Sequence, residues 1–208
     1  MPEQVAIPDF SHEANLIASG LAIVAGVDEV GRGPLAGPVT AAAVVLDPDC
    51  IPDGLADSKM LTAERRLELA TVLEGCAEIA LGWASVEEID EINIRNAAFL
   101  AMCRAVDALP RRARHALIDG NACPPGLCCP ATPIVKGDGL CVSIAAASIV
   151  AKVARDRVMI ELDASFPGYG WATNVGYATV EHRRALQHLG VTPHHRRSFG
   201  LVHQMLCD

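Results

Sequence analysis

Aromatic residues are scarce in this chain. Four Phe, two Trp and two Tyr make up 4% of 208 residues, so a core must rest on Ala, Val, Leu and Ile. Lysine and arginine are missing before Arg32, which removes the basic start of a secretory signal. Long apolar runs are missing too. The charge-free stretches are shorter than a membrane span, and the one over residues 120–135 is interrupted by four prolines. These features point to a soluble, cytoplasmic protein that does not use a membrane. There are no internal repeats. Eight cysteines are present, but Cys123, Cys128, Cys129 and Cys141 lack the paired C-x-x-C spacing of a structural zinc site. Without an export signal they read as reduced thiols, three of them incidental to a Pro-rich loop.

Hydrophobic residues make up 51% of the chain and charged residues 20%, a composition that suits one well-buried globular domain with a modest appendage. The net charge of −8 counts against a polyanion as partner until its distribution is considered. Residues 136–208 carry eight Lys/Arg against six Asp/Glu, a balance of +2, which leaves residues 1–135 at −10. Five of the seven histidines also lie in the later segment. A nucleic acid can dock on such a surface while acids in the first segment hold cations, although an ordinary solvated surface explains charge alone equally well.

Local patterns predict a helix or turn within residues 1–18, then β-rich runs at 21–27 and 39–46 joined by a Gly/Pro segment. A helix over 63–74 follows, capped by Thr62, then a strand at 79–85 and one or two helices over 86–109. Short strands are expected at 116–118 and 132–135. Residues 143–165 form a long helix, apolar all round at its start and hence largely buried. A charged helix at 179–189 and a basic tail close the chain. The pattern predicts an α/β fold in which a mixed sheet is covered by helices. Residues 1–165 form the main domain, and 166–208 a small helical extension packed on it.

The run Val27-Asp28-Glu29-Val30-Gly31-Arg32-Gly33-Pro34 carries the chemistry most directly. Two adjacent carboxylates at a strand end suit a hard divalent cation, and an arginine between glycines suits a phosphate. Asp119 likewise ends an apolar run. Asp156 lies inside the long helix, on an arc with Ile149, Val153 and Ile160 and one turn after Lys152. Alone, it is most simply an ion-pair partner of Lys152 or of an arginine. Together with Asp28, Glu29 and Asp119 it makes a set able to neutralise two cations about 4 Å apart, the arrangement that serves phosphodiester hydrolysis. A lone Asp-Glu pair would be weak evidence; Asp-Glu followed by Gly-Arg-Gly is much stronger.

The chain resembles the type 2 ribonucleases H, the ribonuclease HII family. The resemblance runs from Asp28-Glu29-Val30-Gly31-Arg32-Gly33-Pro34-Leu35-Ala36-Gly37-Pro38-Val39 through Asp57-Ser58-Lys59, Ile118-Asp119-Gly120 and Lys136-Gly137-Asp138. It continues with the stretch Ser143 to Lys152, Arg155-Asp156, and Gly176-Tyr177-Ala178-Thr179 with His182. It implies a ribonuclease H-like mixed five-stranded sheet flanked by helices. It further implies a monomeric endoribonuclease that uses two Mg²⁺ or Mn²⁺ ions. The implied substrates are RNA–DNA hybrids and duplex DNA containing ribonucleotides. By the same resemblance Asp28, Glu29, Asp119 and Asp156 are the metal-binding catalytic acids. Gly31, Arg32 and Gly33 sense the ribose 2′-OH, Tyr177 stacks on the adjacent deoxyribose, and Ser58, Lys59 and Lys136 contact phosphates.

Two departures from the family pattern stand out. The Cys/Pro-rich stretch 122–133 occupies the place of a shorter, more polar connection and adjoins Asp119. Met60 stands where another lysine is common. Two other readings have their own discriminating tests. A metal-dependent DNA nuclease would cut all-DNA duplex equally well, and a non-catalytic nucleic-acid-binding or zinc module would carry stoichiometric zinc.

Overall fold

A computed structural model describes residues 7–207. Five strands form one mixed sheet: β1 (Val24–Val30), β2 (Val39–Leu46), β3 (Ala77–Ala84), β4 (His115–Asp119) and β5 (Ala131–Ile134), in the order β3-β2-β1-β4-β5. β1, β2 and β3 pair antiparallel, whereas β1, β4 and β5 run parallel. The expected sheet is therefore present, with one shift of consequence. β1 begins and ends three residues later than its apolar run implies, so Asp28 and Glu29 lie inside the strand rather than after it. Pairing with β2, where Asp28 faces Ala42 and Glu29 faces Ala41, carries the strand through these acids.

Helix α3 (Val86–Asp107) covers one face of the sheet, and α2 (Ala63–Cys76) with α4 (Val142–Ser165) covers the other. Small residues allow close approach. A Cβ on Gly26 of β1 would fall 2.2 Å from the Ser143 carbonyl carbon in α4, and one on Gly82 of β3 would fall 2.0 Å from the Ala101 carbonyl oxygen in α3. The Ala-rich composition thus produces a thin, tightly apposed three-layer core. α3 starts with a capping box between Ser85 and Glu88, and its regular path is interrupted at Asn93 (φ 66°, ψ 162°).

Helix α1 (Ser11–Ala18) falls within the expected N-terminal element, of which residues 1–6 lie outside the described residues. Its Glu13 accepts hydrogen bonds from the backbone N–H (2.9 Å) and hydroxyl (2.5 Å) of Ser143 in the first turn of α4. Cys141, the residue before α4, caps nothing with its side chain, so a carboxylate distant in sequence does so instead. The final segment holds α5 (Trp171–Asn174), α6 (Val180–Leu189) and α7 (Gly200–Cys207), gathered on Leu35, Ala36 and Met159. α7 replaces part of the expected basic tail. Among the described residues no helix is long and apolar enough to cross a membrane.

Candidate active site

The parallel ladder between β1 and β4 places Val27 beside Ile118, and the next residues of the two strands are Asp28 and Asp119. Both follow residues of the α4 face: Gly26 abuts Ser143, and Leu117 packs with Ile144. Period-two alternation sends Glu29 toward the α3 face instead. Asp28 is 5% exposed. Burial pushes its carboxyl well above the usual range, the charges of Glu29, Asp119 and Asp138 add to this, and the Ser148 hydroxyl opposes it. Burial also raises Glu29, against the opposing Arg32 guanidinium, with Asp119 contributing. Asp138 is raised by burial and then by Asp119 and Asp57, while Lys59 opposes.

Each acid is engaged by a local donor. Asp28 Oδ1 accepts from the Glu29 N–H (2.7 Å), Asp119 Oδ1 accepts from the Gly137 N–H (2.7 Å), and Glu29 Oε1 accepts from Arg32 Nη1 (3.1 Å). Among the described residues no three His, Cys, Asp or Glu side chains converge closely enough, as they stand, to share one ion. Glu29 Oε2, however, is buried without any hydrogen-bond partner. A buried carboxylate oxygen left bare among like charges is costly unless a cation completes it. This chemistry fits a divalent ion, which takes oxygen ligands.

The four acids named from the sequence do not all meet on equal terms. Asp28, Glu29 and Asp119 act on one another electrostatically. Asp156 sits on α4 with its side chain 26% exposed and its Oδ1 2.7 Å from Lys152 Nζ, an ion pair that their spacing allows. Asp138, directly after Gly137, also adds its charge to Asp28 and is itself raised by Asp119. Its signal was present: an acid directly after the glycine whose N–H binds Asp119.

The remaining residues divide in the same way. Gly31 has φ +90°, and a Cβ there would fall 2.2 Å from Arg155 Nε, so only glycine serves this turn. Gly33 faces the Tyr177 ring, which is half-exposed. Arg32 and Lys136 are exposed, and Lys136 holds a left-handed conformation (φ 57°, ψ 39°) one residue before the Asp119 contact. Lys59 is 3.5 Å from both Asp57 and Asp138. Burial pulls its ammonium down, but Asp57, Asp138 and Asp28 outweigh this and raise it. It is thus a cation with two carboxylate partners. Ser58 differs from expectation. It is buried and its hydroxyl is bonded to the Ser148 hydroxyl at 2.9 Å, so it supports the site from within rather than facing a phosphate.

Two buried arginines shape the loop over residues 31–38. Arg155 donates to the carbonyls of Pro38, Ala36 and Val175. Arg196 donates to those of Gly31, Arg32, Pro34, Gly37 and Pro38. Burial lowers Arg155 to about 10 and, together with Arg155, lowers Arg196 to about 9. Both are fully buried, so two of the eight cationic residues of 136–208 take no part in any docking surface. Arg155 was legible in principle, since Ser148, Ala151, Arg155 and Met159 fall on one buried arc of α4. Arg196 carries no local signal.

A hydrogen-bonded histidine pair fixes the backbone at Tyr177. His182 Nδ1 lies 2.9 Å from the Tyr177 carbonyl, while its Nε2 accepts from Trp171 Nε1 (3.0 Å) and lies 3.1 Å from His195 Nε2. Because His195 Nδ1 accepts the Thr192 N–H (3.0 Å), its Nε2 carries the proton. Burial, then His182 and His194, depresses His195 to about 4, so its ring is neutral at neutral pH, and burial lowers His182 as well.

A cleft of about 230 Å³ adjoins the acids on the α3 side, lined by Glu29, Arg32, Arg95, Phe99, Asp119 and Asn121 among others. A larger one of about 520 Å³ lies at the other end of the sheet, beside Glu13 and Arg111, and contains none of the site acids. The Cys/Pro stretch reaches the smaller cleft through Ala122. Its Cys123, Cys128 and Cys129 pack on the α3-side core, where burial raises the Cys129 thiol to about 11.

A mixed sheet with Asp28 inside one strand and Asp119 at the end of its parallel neighbour, covered by a long helix, is the architecture of the ribonuclease H class. The crystal structure of the ribonuclease H2 from Pyrococcus horikoshii shares this fold, with a TM-score of 0.76 and 26% identity over 88% of this chain and 96% of that one. Bst ribonuclease HIII, solved in complex with Mn²⁺, shares the fold at a TM-score of 0.69 and 20% identity, over 89% of this chain and 69% of that one. Ribonuclease HII from Jannaschia sp. is 64% identical over 200 residues, spanning 96% of this chain and 98% of that protein. The family model for Ribonuclease HII matches residues 25–202, and the chain belongs to that family of endoribonucleases.

Proposed function

We propose that this endoribonuclease hydrolyses the RNA strand of RNA–DNA hybrids and cuts on the 5′ side of ribonucleotides embedded in duplex DNA. The products are a 5′-phosphate and a 3′-hydroxyl, and the cellular role is removal of ribonucleotides and RNA primers during replication and repair, in the cytoplasm. The observation that carries the reading is the register that brings Asp28 and Asp119 together just after the paired Val27 and Ile118, with Glu29 Oε2 buried and unpartnered, beside the Gly31-Arg32-Gly33 turn and Tyr177.

Asp28, Glu29 and Asp119 would hold divalent ions, Mg²⁺ or Mn²⁺, with Glu29 Oε2 as a ready ligand. Two side chains contend for a fourth place: Asp138, which acts on Asp28, and Asp156, which shares α4 with Lys152. Bound ions supply an activated water and charge stabilisation at the leaving oxygen. The protein's own groups orient the strand. Backbone groups at Gly31 and Gly33 reach a 2′-OH, the feature that separates RNA from DNA locally. The Tyr177 ring offers a stacking face beside Gly33, and Lys59 and Lys136 supply positive charge next to the acids.

Three duplexes test this: all-DNA, DNA with one ribonucleotide, and an RNA–DNA hybrid, each with and without Mg²⁺ or Mn²⁺. Metal-dependent cutting of the last two and not the first is expected. Equal cutting of all-DNA would favour a general DNA nuclease and overturn the ribose-sensing role. Asp138→Asn and Asp156→Asn, compared side by side, identify the fourth acid as the one whose loss abolishes turnover.

A further inference from the structure

The interruption of α3 divides it at the edge of the active site. Asn93 leaves the helical path, and its Oδ1 accepts from the N–H groups of Arg95 (3.1 Å) and Asn96 (3.2 Å). It therefore acts as the N-cap of a second helical segment, whose first turn presents Arg95. Ala97 and Ala98 bury the other side of that turn against the sheet, which leaves Arg95 exposed. The guanidinium lies 5.4 Å from the centroid of the partly buried Phe99 ring. Among the described residues no carboxylate lies within ion-pair distance of it, unlike Arg32, Arg65, Arg104 and Arg111. Arg95 also lines the cleft that contains Glu29, Arg32 and Asp119.

We propose that Arg95 is a substrate-positioning residue, binding through its guanidinium a backbone phosphate of the duplex next to the phosphate that is cut. The proposal rests on the nuclease reading above. An aromatic face holds the guanidinium without neutralising it, so its five N–H donors remain free for an anion. The planar fork matches phosphate oxygens in pairs, and the helical N-terminus behind it favours negative charge. On a chain of net charge −8, an unneutralised arginine beside a group of buried acids is where a nucleic-acid strand gains attraction close to the reacting centre. If Arg95 only packed on Phe99, its removal would leave salt dependence untouched.

The test measures binding of a fluorescent RNA–DNA hybrid by anisotropy in metal-free buffer from 50 to 200 mM salt. It compares the wild type with Arg95→Ala, Arg95→Lys and Arg111→Ala. Arg111 lies at the other end of the sheet and provides a charge-matched control. Arg95→Ala is expected to weaken binding about tenfold at low salt, the scale of one charge-assisted hydrogen bond. It should also reduce the slope of log K against log salt by about one. Arg95→Lys should keep the slope while losing part of the affinity, and Arg111→Ala should match the wild type. With metal present, the loss should fall on KM rather than kcat. Wild-type affinity and slope in Arg95→Ala would overturn the proposal. A wild type that neither binds nor cuts the hybrid would overturn the nuclease reading itself, and this proposal with it.

Discussion

Asp28 illustrates how this site stores electrostatic cost in single residues. Its carboxyl is buried beside three other acids and holds a proton more tightly in the folded chain than in the unfolded one. The stability it contributes is complete below the ordinary carboxylate value of 3.8 and is lost as pH rises through the elevated native value. Without metal, ionisation of the group therefore opposes folding. Asp28→Asn keeps the shape and removes the charge. In metal-free buffer it should raise Tm, by roughly 2–4 °C for each kcal/mol of repulsion relieved in a protein of this size. In the presence of Mg²⁺ or Mn²⁺ the same variant should lose at least about a hundredfold in turnover. Calorimetry and a single-ribonucleotide cleavage assay check the two halves. A lower Tm with full activity would show that Asp28 is structural.

At the level of elements, the turn between β1 and β2 is held from outside rather than by its own sequence. Arg196, 165 residues away from Gly31, is fully buried and donates to five carbonyls of that turn, with Phe199 5.1 Å beneath its guanidinium. Lysine has one ammonium in place of a five-donor fork and cannot satisfy these acceptors together. Arg196→Lys should therefore cost on the order of 3 kcal/mol in denaturant unfolding, because several buried carbonyls lose their partners. It should also lower kcat/KM by roughly ten- to a hundredfold through displacement of Gly31 and Gly33. Unchanged stability would show that water reaches the turn. α3 behaves differently. Its start follows from the capping box of Ser85 and Glu88, which is local.

Across the whole molecule, stability depends on two close appositions on opposite faces of one sheet. Gly26 admits α4 and Gly82 admits α3. An alanine at either place meets helix backbone, which cannot swing aside as a side chain can. Gly26→Ala and Gly82→Ala should each cost about 3 kcal/mol or more, as overpacking does in a dense core. The double variant should be close to additive, since the two contacts lie on different layers and share no partner. Urea titration of the three variants checks this, and a strongly sub-additive result would indicate that the two faces yield together.

The amino-acid sequence by itself determined the order of strands and helices, the Asp28-Glu29 pair with its Gly-Arg-Gly turn, and the long buried helix. All of these are written in residues adjacent along the chain or spaced by a helical or strand period. β-pairing extended β1 through Asp28 and Glu29, because a ladder with β2 satisfies backbone groups whatever side chains they carry. Tertiary structure alone decided that Ser58 meets Ser148 and that Arg196 is buried under the active-site turn. Each of these outcomes depends on which groups from distant segments meet once water is excluded. Desolvation and pairing energies of that kind arise only after the layers have closed.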